Sequence, residues 1–514
     1  MNIKIKTLFV LFLTIFCLEG KTQSTFQKIY RNAFIAKDIQ QTFDHGYVIS
    51  GLGINSGSLG ILRTDSIGTI MWSKYYSSPL GNEASSIIQT PDSGFVSVGG
   101  SYGTSTNNLV TEIVKVDKNG AIQWQNAIAG GGTGEKYIIG NTSDGNYFVI
   151  GTSLLTNVFC AKIDNSGNLI FGKMCSASGV DMYTHGAIQT TDGGFLIGGT
   201  TNYGSISDTS ESFLLKLDNS GNFSWGKFYR DSISIFDIVQ NGSGYFAIGH
   251  DFYNKIGLFK FDSIGNIQWS KTYSGNKPII ATSILKTSEN KYLISGGYDS
   301  LGGWNSRHYL LMEIDSTGNL NWAKTYGSAV GQTNLRAITS TADNGIALIG
   351  DESQSIFWNS FGNTYFIKAD SLGNSGCHES IANISSVYYN IASPIPFSLT
   401  TNNITLLQIS LTTTTFTLQV DDACLYNSTG SLEQVSEISI YPNPFNSFTT
   451  LMSSKEINEG KFELFDLMGR IVDEISIINR RTIIIDRNNL PSGIYFWKLS
   501  DKNEILSTGK IIIE

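Results

Sequence analysis

The chain has 514 residues, of which 41% are hydrophobic and only 15% charged, with a formal net charge of −8. That length exceeds one compact core and gives a prior of about three domains. The acidic balance and the absence of a Lys/Arg cluster exclude a surface built to neutralise nucleic-acid phosphates.

Lys4 and Lys6 precede an apolar run from Thr7 to Leu18, too short to span a bilayer and laid out as a secretory signal. Residues 1–23 are read as that signal peptide, with cleavage expected between Gly20 and Ser24; bulky Phe16 ahead of Cys17 argues against lipid attachment. Export permits disulfides, and four cysteines remain: Cys160, Cys175, Cys377 and Cys424. The first two read as core fillers. None has a zinc-ligand spacing.

Residues 24–376 are dominated by internal repetition. One anchor is Asp-x-x-Gly, usually with Trp four residues after the Gly, as in Asp65-Gly68-Trp72, Asp117-Gly120-Trp124 and Asp315-Gly318-Trp322. A second anchor, a polar tight turn leading into an aromatic strand, precedes each one, as in Asp92-Ser93-Gly94-Phe95 and Asp192-Gly193-Gly194-Phe195. Both occur seven times, in step, and each unit resolves into four short strands, for example 187–190, 195–199, 212–218 and 222–229. Glycine takes positive φ in such turns and Asp caps the backbone. The expectation is an all-β chain whose main domain is a seven-bladed β-propeller. The seventh unit lacks its outer strand, and Phe26-Gln27-Lys28-Ile29-Tyr30 matches the recurrent outer pattern Trp-x-Lys-x-Tyr seen at Trp225-Lys227-Tyr229 and Trp269-Lys271-Tyr273. The N-terminal strand is therefore expected to complete the last blade, closing the ring and hiding two sheet edges. The turn-then-Trp layout resembles the repeat of quinoprotein dehydrogenase propellers, with a turn one residue shorter, and resembles the sialidase Asp-box, whose spacing is tighter. Both resemblances imply architecture only.

Strand order puts the short turns on one face and the long, irregular connections on the other, where binding residues usually reside. Those connections carry Tyr102, Tyr203, Tyr298, Trp304, Trp358 and Phe361, with Arg307, His308 and Asp351 nearby. Exposed aromatics next to polar groups suit a glycan or peptide. Packing of the same rings onto the blade tops is the competing reading. The histidines, at 45, 185, 250, 308 and 378, share no metal spacing, and no nucleophile elbow, P-loop or dinucleotide fingerprint stands in its required context. No cofactor or metal is expected, and the balance leans away from an enzyme. The alternative is an extracellular carbohydrate-active hydrolase or lyase, whose paired carboxylates would meet in the funnel without leaving a linear motif.

Residues 377–436 are rich in Ser, Thr and Asn and read as a spacer, with a disulfide expected between Cys377 and Cys424. Closing that loop is worth about 4 kcal/mol in the chain-entropy model. Beyond it, residues 437–514 resolve into seven short alternating segments at 438–441, 449–453, 460–466, 470–475, 482–486, 494–500 and 507–513, which fits a small Ig-like β-sandwich. Four motifs follow in order: Tyr441-Pro442-Asn443-Pro444-Phe445, Leu464-Phe465-Asp466-Leu467-Met468-Gly469-Arg470, Leu490-Pro491-Ser492-Gly493-Ile494-Tyr495 and Gly509-Lys510-Ile511-Ile512-Ile513. This module resembles the type A C-terminal sorting domain of Bacteroidota type IX secretion. The resemblance implies passage through the periplasm, recognition by the secretion machinery and its sorting protease, and release or attachment to surface lipopolysaccharide. The function expected is that of a secreted or cell-surface binding or adhesion protein.

Overall fold

The computed structural model describes residues 24–426 and 438–514, apart from 32, 54–56, 80, 102–109, 130–135, 154–156, 202–210, 231–232, 252–254, 300–306, 328–331, 354–362, 390–392, 468 and 503. The signal-peptide reading lies outside the described residues. Two compact units divide at Tyr426/Asn427.

The first unit begins with two kinds of turn. In the first kind, the Thr42 hydroxyl donates to Asp44 Oδ1 (2.6 Å), and Arg63 reaches back from the third strand to donate to Asp44 Oδ2 (2.6 Å). The same buried cation recurs as Lys115 on Asp92 (2.7 Å), Lys162 on Asp144 (2.6 Å), Lys216 on Asp192 (2.9 Å) and Lys368 on Asp343 (3.0 Å). Hydrogen bonds from Lys162 and Thr142 hold the Asp144 carboxyl down at about 2. Gly46 is required here, because a Cβ would stand 2.2 Å from Thr64 O and 2.3 Å from the Arg63 guanidinium. The second kind is the Asp-x-x-Gly turn. Asp65 Oδ1 accepts from the backbone N–H of Ile67 (3.0 Å) and Thr69 (2.7 Å), while Gly68 takes φ 78°.

These turns join four antiparallel strands into a sheet. Sheet 1, for example, runs Ile35–Gln41, Tyr47–Leu52, Leu59–Thr64 and Ile70–Ser77. Six more follow the same plan, with innermost strands Ser86–Gln89, Ile138–Asn141, Met182–Gln189, Ile233–Asn241, Ile279–Lys286 and Gln332–Ser340. Each sheet buries apolar side chains against the next. Ile61 of sheet 1 shares a core with Val114 of sheet 2, Val98 with Val149, Ile150 with Ile197, Leu214 with Ala247, Ile248 with Ile294 and Leu311 with Leu348. Sheet 7 meets sheet 1 in a seventh core, where Ile349 and Phe366 pack with Tyr47 and Ile49. The arrangement is propeller-like.

The Asp-x-x-Gly turn and the Trp-x-Lys-x-Tyr outer strand turn out to be halves of one clasp between neighbouring sheets. Trp72 Nε1 donates to Lys118 O (2.9 Å), Lys74 to Asn119 O (2.7 Å) and the Tyr76 hydroxyl to Gly120 O (2.8 Å), so the outer strand of sheet 1 grips the Asp-x-x-Gly turn of sheet 2. Tyr229 holds Gly265 O at 2.7 Å, Tyr273 holds Gly318 O at 2.6 Å and Tyr326 holds Gly373 O at 2.7 Å. Trp therefore serves packing between sheets. Strand Phe26–Arg31 pairs antiparallel with Asn363–Ala369 of sheet 7, and its Tyr30 reaches Gly68 O of sheet 1 (2.6 Å). Cys160 and Cys175 are free and buried in the core between sheets 3 and 4.

The stretch after residue 376 corrects the spacer reading. Cys377 and Cys424 are bonded, with Cα atoms 5.6 Å apart. Between them, Glu379–Ile381 adds a fifth strand to sheet 6, Ile384–Tyr388 to sheet 5, Ile395–Phe397 to sheet 4, Thr400–Asn403 to sheet 3, Leu406–Gln408 to sheet 2, Thr412–Thr415 to sheet 1 and Gln419–Asp422 to sheet 7. The physical reason is that each outer strand has an open edge of backbone donors and acceptors, which this segment satisfies. The unit gains five strands per sheet where four were expected.

The second unit is one sheet of five strands among its described residues. Phe448–Phe465 and Ile471–Asp486 each cover two of the segments expected from sequence, with a register shift between Met452 and Ile457 where the ladder breaks. Leu451, Phe462, Ile483, Trp497 and Ile511 are among the side chains of its core.

Candidate functional site

Sequence reasoning expected a site on the long connections, and the structure describes only part of that set. Tyr102, Tyr203, Trp304, Trp358 and Phe361 lie outside the described residues. The remaining three come together at one strand pair, where Tyr298 stands opposite His308 and Asp299 opposite Arg307. The Tyr298 hydroxyl donates to Asn276 Oδ1 (2.7 Å). Burial pushes the half-buried His308 imidazole toward its neutral form.

A second set, which sequence reasoning missed, sits at the heads of the innermost strands, where the connections between sheets arrive. Five of these strands carry a bulge at the same place, which inserts Lys37, His185, Phe236, Thr282 and Arg336. A bulge leaves one residue out of the ladder and re-aims its side chain. His185 and Phe236 come from neighbouring sheets with ring centroids 5.0 Å apart, and Phe236 stacks on His250 at 4.5 Å. Lys37 faces Glu83 of the next sheet at 3.7 Å, and Arg336 pairs with the buried Asp351 at 2.9 Å. Lys136 lies close enough to act on both Asp38 and His185. Burial, reinforced by Lys136 and His250, lowers the His185 pKa to about 3, so its imidazole is neutral. The signal was present in the sequence: each bulged residue stands five positions before the Thr or Asn that opens the first turn (Thr42, Thr190, Asn241, Thr287 and Thr341). Only pairing with the neighbouring strand shows that the residue is extra.

The carboxylates near this rim have structural partners. Asp38 Oδ2 accepts from Ser86 Oγ (2.7 Å) and Ile87 N (3.0 Å) of the next sheet, and burial raises its pKa. Asp237 does the same with Ser283 Oγ (2.7 Å) and Ile284 N (2.9 Å). Among the described residues, no group of three or more His, Cys, Asp or Glu is placed to hold a metal ion.

In the second unit the motif residues meet each other. The Asn443 side chain donates to Lys510 O (3.0 Å) and accepts from Ile512 N (2.8 Å), and Phe445 N donates to Ile512 O (3.0 Å). This binds the Tyr441–Pro442–Asn443–Pro444 segment to the final strand. Tyr495 donates to Pro491 O (2.8 Å), and Arg487 reaches Ser492 Oγ (3.0 Å) close to Gly493. Asp466 and Gly469 repeat the Asp-x-x-Gly turn, Gly469 at φ 75°, with Arg470 Nη2 on Asp466 at 2.7 Å. Gly509 must be Gly, since a Cβ would meet the Trp497 ring at 2.7 Å.

Among solved structures, the chain is similar to a protein of unknown function from Dyadobacter fermentans DSM 18053 (11% identity, 57% of this chain and 96% of that one, TM-score 0.39). It is also similar to a fungal alcohol oxidase of the AA5 family (11% identity, 96% and 99% covered, TM-score 0.42) and to the polysaccharide lyase Uly1 (9% identity, 66% and 91% covered, TM-score 0.39). At these identities none bears on the chemistry of this chain. No curated protein matches it. No helix among the described residues is long and apolar enough to cross a membrane. Residues 439–514 match the secretion system C-terminal sorting domain, so the chain is a cargo of type IX secretion, exported to the cell surface or the extracellular space.

Proposed function

We propose that the chain is a secreted or surface-displayed binding protein, its seven sheets closed into a ring by strand Phe26–Arg31, with a glycan or peptide ligand on the face of the long connections. One observation carries the preference over a hydrolase or lyase: Asp38 and Asp237, acids at the inner strand heads, are engaged in bonds to the neighbouring sheet, and Asp351 is buried against Arg336 of its own sheet. A glycosidase needs a pair of carboxyl groups free to exchange protons with substrate. Support for the ligand class comes from residue type: the long connections carry Tyr298, Trp304, Trp358 and Phe361 together with Arg307 and His308, aromatic residues with polar ones near them in the sequence. The secretion machinery, its sorting protease and surface lipopolysaccharide are the partners proposed for the second unit.

The test uses the full mature chain on a glycan array and a peptide array, with hydrolysis and elimination assays on every sugar that binds. The expected result is binding without turnover, weakened at least about tenfold by Trp304→Ala or Trp358→Ala, as for an interface anchor. Turnover of a bound sugar, or affinity untouched by both substitutions, would refute the reading.

A further inference from the structure

We infer that residues 377–424 form a covalent hoop around all seven sheets, and that the Cys377–Cys424 disulfide is the clasp that keeps the exported protein from coming apart. The inference rests on the closed ring proposed above and not on any ligand. Its first support is the order of pairing. The segment meets sheets 6, 5, 4, 3, 2, 1 and 7 in turn, taking one strand position on each and returning beside its start. The two cysteines stand just outside the first and last of these strands, at a sequence separation of 47. The bond therefore joins the ends of a complete circuit.

The path is also taut. Residues 382–383, 398–399 and 404–405 make three of the crossings between sheets, 409–411 and 416–418 make two more, and only 389–394 is longer. Two or three residues span at most about 7–11 Å, so the segment has little slack to ride outward. At the short crossings apolar side chains fill the gaps. Ala382 and Ile404 are buried, and Leu399 and Leu411 pack against the cores between sheets. Phe416 stacks on Tyr75 at 3.9 Å.

The strands themselves are too short to hold alone. They contain three to five residues, and Thr412–Thr415 is exposed throughout. An isolated edge strand of that length is marginal. Covalent closure changes this, because no strand can peel outward without stretching the others. The last strand lies on Phe26–Arg31, with Lys28 opposite Asp422 and Arg31 paired to Asp421. The clasp thus sits over the strand on which ring closure depends. Both cysteines are half-buried, so a dithiol can reach them. Reduction by the dithiol breaks the S–S bond, leaves two thiols on the protein and converts the reagent to its disulfide.

The experiment measures unfolding rate in guanidinium and cleavage by thermolysin on the full mature chain, oxidised or treated with dithiothreitol. A second protein carries a specific protease site inserted between Tyr389 and Ser393, so the hoop can be nicked with the disulfide intact. The oxidised, uncut protein is expected to unfold more slowly than the reduced one by at least about tenfold and at most about a thousandfold, the ceiling being the stability gained by closing a loop of this length. Nicking should give the same acceleration as reduction, and both together no more than either alone. Unchanged rates on reduction would overturn the inference. So would independent, additive effects of nicking and reduction, which would mark the disulfide as a local staple. Reduction of the folded wild-type chain keeps the test valid if Cys377→Ser fails to fold.

Discussion

His185 shows how much a single position owes to its surroundings. It lies 4% exposed at the head of its strand, 3.0 Å from the Thr200 hydroxyl, and burial drives its pKa to about 3. The unfolded chain binds that proton near pH 6.5, so the folded state loses stability as pH falls from about 6.5 toward 3 and loses none above it. By pH 4 the loss should reach roughly 3 kcal/mol. The melting temperature, followed against pH, is expected to decline below about pH 6.5. His185→Gln should flatten that decline. The turn acids Asp92, Asp144 and Asp192, held at about 2, add their own loss only in a lower window, as pH falls below about 4. Legibility at this scale was uneven. The Asp, Gly, Trp and Tyr of the repeats stood out because each recurs at fixed spacing. His185 did not, because a bulge is defined by the strand beside it.

Sheet 6 offers the sharpest comparison between elements. Where the other sheets place a cation on the third strand, this one has Glu313, and where most have Gly in the first turn it has Lys291. Lys291 pairs with Glu289 at 2.9 Å and with Glu313 at 3.5 Å, so the ion pair is kept with its charges exchanged. Glu313→Lys alone sets two ammonium groups together and should cost about 1–3 kcal/mol, whereas adding Lys291→Gly should recover most of it. Denaturant midpoints of the two single variants and the double variant would measure that coupling, and simple additivity would contradict it. The sorting module was the most readable element, since its four motifs are legible by residue identity as well as spacing, and Asn443 and Gly509 each have a hydrogen-bonding or steric reason for standing where they do. The segment after Cys377 was the least readable. Strands of three or four residues are too short to show alternation, and their Ser and Thr content reads as a linker.

For the molecule as a whole, the N-terminal strand is the decisive piece. Phe26–Arg31 lies between Asn363–Ala369 and Gln419–Asp422, so removing residues 24–31 exposes two strand edges at once. The truncated chain is expected to aggregate or to lose its cooperative melt, which size-exclusion chromatography and calorimetry would show; a monomer with an unchanged melt would argue against ring closure.

What the sequence determined by itself was local: the count of repeats, the turn chemistry, the match of the first strand to the missing outer strand, the pairing of Cys377 with Cys424 and the address carried by residues 439–514. Apart from the disulfide, which spans 47 positions and was read from the two cysteines that had no core role, each depends on residues near one another in the chain or on a pattern that repeats. Tertiary structure alone decided that Trp-x-Lys-x-Tyr grips the neighbouring Asp-x-x-Gly turn, that bulges bring Lys37, His185, Phe236 and Arg336 to the inner strand heads, and that a polar stretch forms seven edge strands. Those outcomes are set by which backbone edges and apolar faces are left open once the sheets meet, and no local pattern encodes that.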